Sequence, residues 1–435
     1  MMARETLRTA ATLVGLAVTL PLDLAAVAVS VAATRGARPA TTPSPTPRTV
    51  LLTGGKMTKS LQLARSFHLA GHRVVLAESA RYRWSGHRFS RAVDRFHVVP
   101  EPGAPGYAEA LLDVVRREQV DVFVPVASPA ASVHDADART LLDAQCEVLH
   151  GDGDTVRMLD DKSRFSEYAA SLGLRVPDWR RVTDPQQVED FDFEPGREYI
   201  LKRISYDPVG RMDLTRLSDR TPERNAATAR GRGMSESNPY ILQEFIPGRE
   251  YCTHGTVRSG HLQVYGCCES SAFQVNYAMI DKPAVRAWVT TFVSALGVTG
   301  QLSFDFIESS RDGEVYAIEC NPRTHSAITM FHDHPDVAAA YLDDDHPVIE
   351  PLASSRPTYW TYHEAWRLLT ASGRAERVRT LLSGKDAILT GWDPLPYVLV
   401  HHLQIPSLLA DSLIGRRSWS RIDFNIGKLV EDGGD

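Results

Sequence analysis

Residues 301–323, QLSFDFIESSRDGEVYAIECNPR, constrain this chain more than any other stretch. Two short apolar runs, Leu302 to Ile307 and Val315 to Cys320, flank Asp312-Gly313, a pair that favours the tight reversal of a β-hairpin. Side chains alternate along a strand, so Asp305 shares a face with Ser303 and Ile307, and Glu319 shares one with Asn321. Pairing symmetric about Asp312 sets Asp305 opposite Glu319, which gathers two carboxylates and an amide with Arg323 just beyond. Adjacent carboxylates repel unless a cation lies between them, and a hard, oxygen-seeking ion such as Mg²⁺ satisfies both. A hairpin with solvated acids on an exposed face accounts for the same pattern. The rest of the chain has to decide between the two.

At 435 residues and 43% hydrophobic, the chain has enough apolar material for two or three domains. A net charge of −6 without a long basic run argues against nucleic acid as a partner. The five cysteines form no CxxC pair and read as reduced thiols in or near the core, with Cys267 and Cys268 facing opposite sides of one strand. Residues 1–36 stand apart. Arg4 and Arg8 precede an apolar run from Ala10 to Ala33, which Pro21 and Asp23 interrupt. Whole, the run is long enough to span a bilayer; broken, it suits a signal peptide, a re-entrant hairpin or a surface anchor. A central Asp is costly in a spanning helix and favours the shallow reading. Arginines at both ends, Arg35 and Arg38 at the second, leave orientation open. Residues 37–48, rich in Pro and Thr, form a semi-rigid linker.

The first folded unit is expected over residues 49–150. Thr49 to Thr53 reads as a strand that meets Gly54-Gly55; a helix pattern follows through Ala70, then a second strand from Arg73 to Glu78. This βαβ unit, with a further apolar strand at Val120 to Val126, predicts a parallel doubly wound domain. The turn Gly54-Gly55-Lys56-Met57-Thr58-Lys59 is either an anion cradle at a helix N-terminus or a plain tight turn. Trp84, Ser85 and His87 belong to surface packing or to a substrate rim.

Further on, Lys162 lies in the first turns of a helix, and Lys202 ends a strand from Tyr199. There a cation can reach a phosphate from a rigid element. A polar loop, Ser205 to Asp213, follows. The strand Tyr240 to Phe245 then runs into Ile246-Pro247-Gly248-Arg249-Glu250, whose backbone suits an adenine edge and whose Glu250 suits ribose hydroxyls.

Lysine, lysine-plus-loop, QEFIPGRE hinge and D…ExN hairpin, in that order over residues 158–325, resemble the ATP-grasp superfamily. The resemblance implies an α/β and α+β chain: a Rossmann-like pre-ATP-grasp domain, a two-subdomain ATP-grasp fold over residues 151–340 with its lid at about 200–245, and a C-terminal extension over 341–435. It implies Lys162 and Lys202 on phosphate, Gln243, Glu244, Phe245 and Ile246 around adenine, and Glu250 on ribose. Asp305, Glu319 and Asn321 would hold Mg²⁺, or Mn²⁺ in its place. Arg323, with Lys202, would steady the transferring phosphoryl group. The lid loop departs from many relatives in carrying a single glycine, Gly210, so Arg211 is a further candidate for gripping the triphosphate.

The stretches SGHRFS, MLDDK, YILKRISYD, LQEFIPGRE, SSAFQVNY, AIECNPRTHSAITMF, PTYWTYHE and IDFNIGKLVEDGGD are more narrowly similar to the mycosporine-glycine synthases, the ligases of mycosporine-like amino acid biosynthesis. That resemblance, from about Thr49 to Asp435, implies ATP-dependent joining of glycine to 4-deoxygadusol in the cytoplasm. Residues 10–33 would attach the enzyme to the inner membrane face, and a two-fold homodimer is the default oligomer. The alternatives are an ATP-grasp ligase that activates a carboxylate, and a membrane-tethered nucleotide sensor without turnover. Ser270, Ser271, Gln274 and Asn276 are candidates for the organic substrates, as is Ser303. His254 and His325 are candidates for a base, each against ordinary core or strand polarity. His332, His334 and His346 match no metal spacing and read as a solvated loop. The run Leu395 to Ile414 is either core or an interfacial amphipathic helix.

Overall fold

The computed structural model describes residues 2–126, 128, 131–205, 213–270, 276–370 and 374–431. Helix α1 (Met2–Thr34) comes first. The apolar run is therefore one continuous helix rather than two pieces. Pro21 lies on its exposed side, and Asp23 is turned inward and buried.

A five-stranded parallel sheet follows. Its strands are β1 (Thr49–Leu52), β2 (Arg73–Ser79), β3 (Arg95–Val99), β4 (Val122–Val124) and β5 (Glu147–Val148), in the order β3-β2-β1-β4-β5. Helices α2 (Thr58–Leu69), α3 (Tyr107–Glu118) and α4 (Ser132–Leu142) supply the crossovers. Helices cover both faces, which is why TVLL shows no alternation: Val50, Leu51 and Leu52 are all fully buried. The strand order reverses between β1 and β4, and doubly wound sheets open a crevice at that point.

Helices α5 (Gly153–Asp160) and α6 (Lys162–Ser171) lead into a four-stranded antiparallel sheet in the order β6-β9-β7-β8. Its strands are β6 (Trp179–Val182), β7 (Tyr199–Arg203), β8 (Arg216–Leu217) and β9 (Tyr240–Glu244). Val188 of α7 (Pro185–Glu189) and Ala229 of α8 (Pro222–Gly231) close a small core on it with Tyr199, Leu217 and Leu242. A second antiparallel sheet has the order β11-β10-β13-β14, from β10 (Gly248–Arg258), β11 (His261–Glu269), β13 (Gly300–Ser309) and β14 (Val315–Asn321). The short β12 (Asn276–Tyr277) lies between β11 and β13 in sequence. Helix α9 (Pro283–Leu296) covers one face of this sheet, with Cys267 turned toward it, whereas Cys268 joins the core on the opposite face. The two cysteines do point opposite ways, and all five thiols are buried and free.

Beyond α10 (Val337–Leu342), the chain returns to the first sheet through β15 (Thr358–Tyr359), α11 (Thr361–Thr370), α12 (Arg374–Ser383), β16 (Lys385–Asp386) and α13 (Leu395–Leu399). A π-helical stretch, Val400–Gln404, joins α13 to α14 (Ile405–Ile414), and a hairpin of β17 (Arg421–Asp423) and β18 (Lys428–Val430) ends the described chain. Trp360, Trp392, Tyr397 and Leu408 share one core with Val50, Leu61 and Phe67. A buried ion pair, Arg65 Nε to Asp393 Oδ2 at 2.9 Å, fastens the two ends of the sequence together, and Asp393 also accepts from Ser90 Oγ at 2.7 Å. The run Leu395 to Ile414 is both core and surface: Ile405 and Leu409 are fully buried, whereas Ile414 is exposed.

Candidate functional site

The Asp312-Gly313 reversal forms as the sequence dictates. Gly313 adopts the left-handed φ of +74° and Asp312 Oδ1 accepts from Glu314 N at 3.0 Å. The register pairs Asp305 with Glu319 and Ser303 with Asn321. A bulge then leaves Ile318 without an opposite residue before Phe306 meets Ala317, a local kink of the kind that re-aims side chains beside sites. Asn321 Nδ2 donates to Asp305 Oδ2 at 3.2 Å, while Arg323 NH2 donates to Asn321 Oδ1. Among the described residues no three His, Cys, Asp or Glu side chains converge, so the metal-type donor set here is two carboxylates and an amide. Mg²⁺ is held by one or two carboxylates when phosphate oxygens and water complete its shell, so the set fits.

Lys162 contacts this dyad, and Lys202 acts on it through its charge. Asp161 caps α6, its carboxylate accepting from Ser163 N and Arg164 N, and that cap places Lys162 in the first turn. Lys162 Nζ lies 3.3 Å from Glu319 Oε2. Lys202, on β7, is shifted below the ordinary lysine range by burial and by Lys162, against the pull of Glu319, Glu250 and Asp305. Burial raises Glu319, but Lys162 and Lys202 outweigh it and hold the carboxyl well below the usual range. Asp305 is pushed well above its ordinary value by burial and then by Glu319. The two carboxyls oppose each other's charge, and a further cation between them would favour both as carboxylates.

The hinge residues divide. Gln243 is buried, and its Nε2 donates to Ile318 O at 3.3 Å, tying the two antiparallel sheets together. Glu244 is held by Arg311 NH2 at 2.7 Å and Arg197 NH1 at 3.6 Å. Phe245 lies under the Arg216 guanidinium, 4.1 Å from the ring centroid, and its N–H donates to Glu198 O. Ile246 is buried, and Glu250 Oε1 accepts from Ser270 Oγ at 3.0 Å. Asp160 was not legible as a site residue. It lies 4.0 Å from Arg323, and burial raises its carboxyl despite Arg323 and Lys162; its one signal was a place two residues before Lys162. Ser303 has a buried hydroxyl without a partner on the same strand face as Asp305.

His254 is excluded as a base. Nε2 pairs with Tyr341 Oη at 3.1 Å, Nδ1 accepts from His325 N, and burial lowers its pKa to about 3. His325 caps the following 3-10 turn through Ala327 N. Asn276 Nδ2 donates to Glu364 at 3.4 Å, and His332 bonds Arg356 O. Gly210, Arg211, Ser271 and Gln274 lie outside the described residues.

The Gly54-Gly55 turn proves to be a braced turn beside a cavity. Ser85 Oγ donates to Gly55 O at 2.6 Å and His87 Nδ1 lies 3.1 Å from the same oxygen, so the SGHRFS stretch is buried bracing rather than rim. A pocket opens at the C-terminal ends of β1, β2 and β4, lined by Thr53, Lys56, Glu78, Ser79, Tyr107 and Asp135 among others. Tyr107 Oη donates to Asp135 Oδ1 at 2.6 Å, whereas Asp135 Oδ2 and Ser79 Oγ have no partner among the described residues. Burial pushes Asp135 up to about 7. Ser132, at the start of α4, donates to Pro322 O at 2.6 Å, and Lys59 Nζ to Thr324 O at 2.6 Å, tying the first sheet's helices to the segment just after Asn321.

No protein-family model matches the chain. It is 24% identical over 288 residues to the carbamoyl phosphate synthase large chain of Thermomicrobium roseum, covering 62% of this chain and 25% of that one. The chain thus spans about a quarter of that relative's length. To the formate-dependent phosphoribosylglycinamide formyltransferase of a Synechococcus species it is 25% identical over 292 residues, covering 64% and 70%. Among solved structures, the biotin carboxylase domain dimer of Hydrogenobacter thermophilus 2-oxoglutarate carboxylase, in complex with MgADP, ADP and bicarbonate, superposes with a TM-score of 0.54 at 13% identity, covering 69% and 72%. The fold is the ATP-grasp fold preceded by its Rossmann-like domain.

Proposed function

We propose that this protein is an ATP-dependent, ADP-forming ligase that makes a C–N bond. The observation that carries the reading is Lys162 Nζ at 3.3 Å from Glu319 Oε2, opposite Asp305 across the hairpin, with Lys202 in the electrostatic field of the same carboxyl. Two cations beside a pair of opposed carboxyls suit a triphosphate with its metal. Asp305, Glu319 and Asn321 would hold Mg²⁺, which when bound neutralises charge on the phosphate oxygens. Lys162 and Lys202 bind those oxygens from rigid elements, and Arg323, ordered by Asn321 and Asp160, meets the phosphoryl group being transferred.

The finer reading is mycosporine-glycine synthesis, supported by the NPRTHSAITMF and C-terminal stretches quoted above. The enol of 4-deoxygadusol, a vinylogous acid, gives up its proton to solvent, and its oxygen attacks the γ-phosphorus as ADP leaves. The product is a vinylogous acyl phosphate, because the oxygen is conjugated to the ring ketone. The amine of glycine adds, loses a proton and expels phosphate, leaving an enaminone. Water must be excluded meanwhile, or the activated ring is hydrolysed. The cavity beside Gly54 is our choice for the ring: Asp135 and Ser79 offer unspent hydrogen-bonding atoms to its hydroxyls.

A mass-resolved end-point assay with ATP, Mg²⁺, 4-deoxygadusol and glycine, each omitted in turn, tests both levels. Stoichiometric ADP with a glycine adduct in the complete mixture alone is the expected result. ADP without adduct sinks the acceptor assignment, and no ADP under any condition sinks the ligase. Asp135→Leu should raise the acceptor KM at least tenfold and leave the ATP KM unchanged; an unchanged acceptor KM would move the ring out of this cavity.

A further inference from the structure

Helix α1 carries its polarity inside out. Between Ala10 and Ala33 the polar side chains are Thr12, Thr19, Asp23 and Ser30, and all four lie on the buried or half-buried stripe. Every exposed residue in that span is apolar, glycine or proline. Val14, Val18, Leu22 and Val29 are 62–70% exposed. A surface helix in water shows the opposite pattern. The outward strip is about 36 Å long at 1.5 Å per residue, far larger than a scattered surface residue requires.

The inward stripe is fastened by polar bonds to residues far along the chain. Asp23 Oδ2 accepts from Tyr362 Oη at 2.6 Å and His402 Nε2 at 2.7 Å, and its Oδ1 accepts from Tyr397 Oη at 3.1 Å. Thr19 Oγ1 lies 2.6 Å from Tyr362 Oη, and Trp419 Nε1 donates to Thr9 Oγ1 at 3.0 Å. Arg8 stacks on the Trp419 ring at 3.8 Å. Lifting α1 off to cross a bilayer would leave Asp23 in hydrocarbon and three donors orphaned. Asp23 is therefore a latch that keeps the helix flat on the body.

We propose that the outward face of α1 seats the enzyme on an anionic lipid surface as an in-plane helix. Exposed Leu413 and Ile414 of α14, which packs on α1, extend the apolar face, and Arg35, Arg38, Arg416 and Arg417 are exposed at its rim. Anionic headgroups complement that rim. A two-fold copy does not, because arginines stand at both ends of α1 and any antiparallel pairing brings like charges together.

The test is co-sedimentation of the full chain with vesicles of phosphatidylglycerol and phosphatidylcholine. Wild type should pellet, more weakly with phosphatidylcholine alone. The combined Val14→Ser, Val18→Ser, Leu22→Ser and Val29→Ser variant should bind roughly tenfold less or weaker still. Those side chains are exposed, so the fold does not depend on them. Absence of vesicle binding, equal binding by the variant, or a lipid-free dimer that the variant abolishes would each overturn the proposal. Orientation is read separately from Thr6→Cys and Ala37→Cys, since the native thiols are buried. A membrane-impermeant maleimide should label both on sealed vesicles. Labelling of one end alone would mean that the helix spans.

Discussion

Asp305 is the residue on which the chemistry and the stability of the site pull apart. Its carboxyl titrates well above the ordinary range because burial and Glu319 oppose its charge. A carboxyl raised on folding binds more protons in the native state, so its contribution to stability falls as pH rises from about 4 toward the folded value. Asp305→Asn removes that penalty. The ligand-free variant should melt roughly 2 °C or more above wild type at pH 8, with the difference vanishing near pH 4 in a calorimetric series. Turnover of ATP should fall on the order of 10³-fold, because the oxygen donor and its charge are lost together. A variant with ordinary ADP formation would remove Asp305 from the metal set.

At the scale of elements, the turn between β1 and α2 is where backbone and cavity meet. Gly54 has a φ of +68°, and a Cβ there would stand 2.1 Å from Val126 O. Gly54→Ala should therefore cost about 3 kcal/mol in urea unfolding, through left-handed strain and displacement of the segment that follows β4. It should also raise the acceptor KM if the ring occupies the adjoining cavity. The β13-β14 hairpin is the element that the sequence exposed most fully. Its turn, its two faces and the Asp305–Glu319 pairing follow from a period of two and one Asp-Gly reversal. The QEF strand was equally legible as β9, yet the roles along it were not. Gln243 bonds to Ile318 O and Glu244 is paired with Arg197 and Arg311, contacts made across distances that no local pattern encodes.

For the molecule as a whole, acid should be the dominant stress. His87, His150, His254 and His401 are buried and lie in different parts of one tightly connected body, and burial lowers them to about 3, 4, 3 and 4. Between those values and 6.5 the unfolded chain takes up protons that the native one does not, so stability is lost as pH falls through that window. At pH 5 each contributes about 2 kcal/mol of loss, enough together to rival the net stability of a typical domain. Urea midpoints measured from pH 7 to pH 5 should fall steeply. A flat profile would contradict the buried neutral histidines.

The sequence alone determined what is short-range: the hairpin and its opposed carboxylates, the βαβ opening, the opposite faces of Cys267 and Cys268, and an apolar stretch of helical length at the N-terminus. These rest on periodicity and turn chemistry, which act over a few residues. Tertiary structure decided which polar atoms are spent and which remain. It brought Lys162 onto Glu319, with Lys202 in the field of the same carboxyl, and it closed His254 inside a hydrogen-bonded core. It also turned Asp23 from an interruption in an apolar run into the anchor of a continuous helix. The partners of Asp23 are 339 to 379 residues away, and whether a buried charge is a defect or a fastening depends on what the fold sets against it.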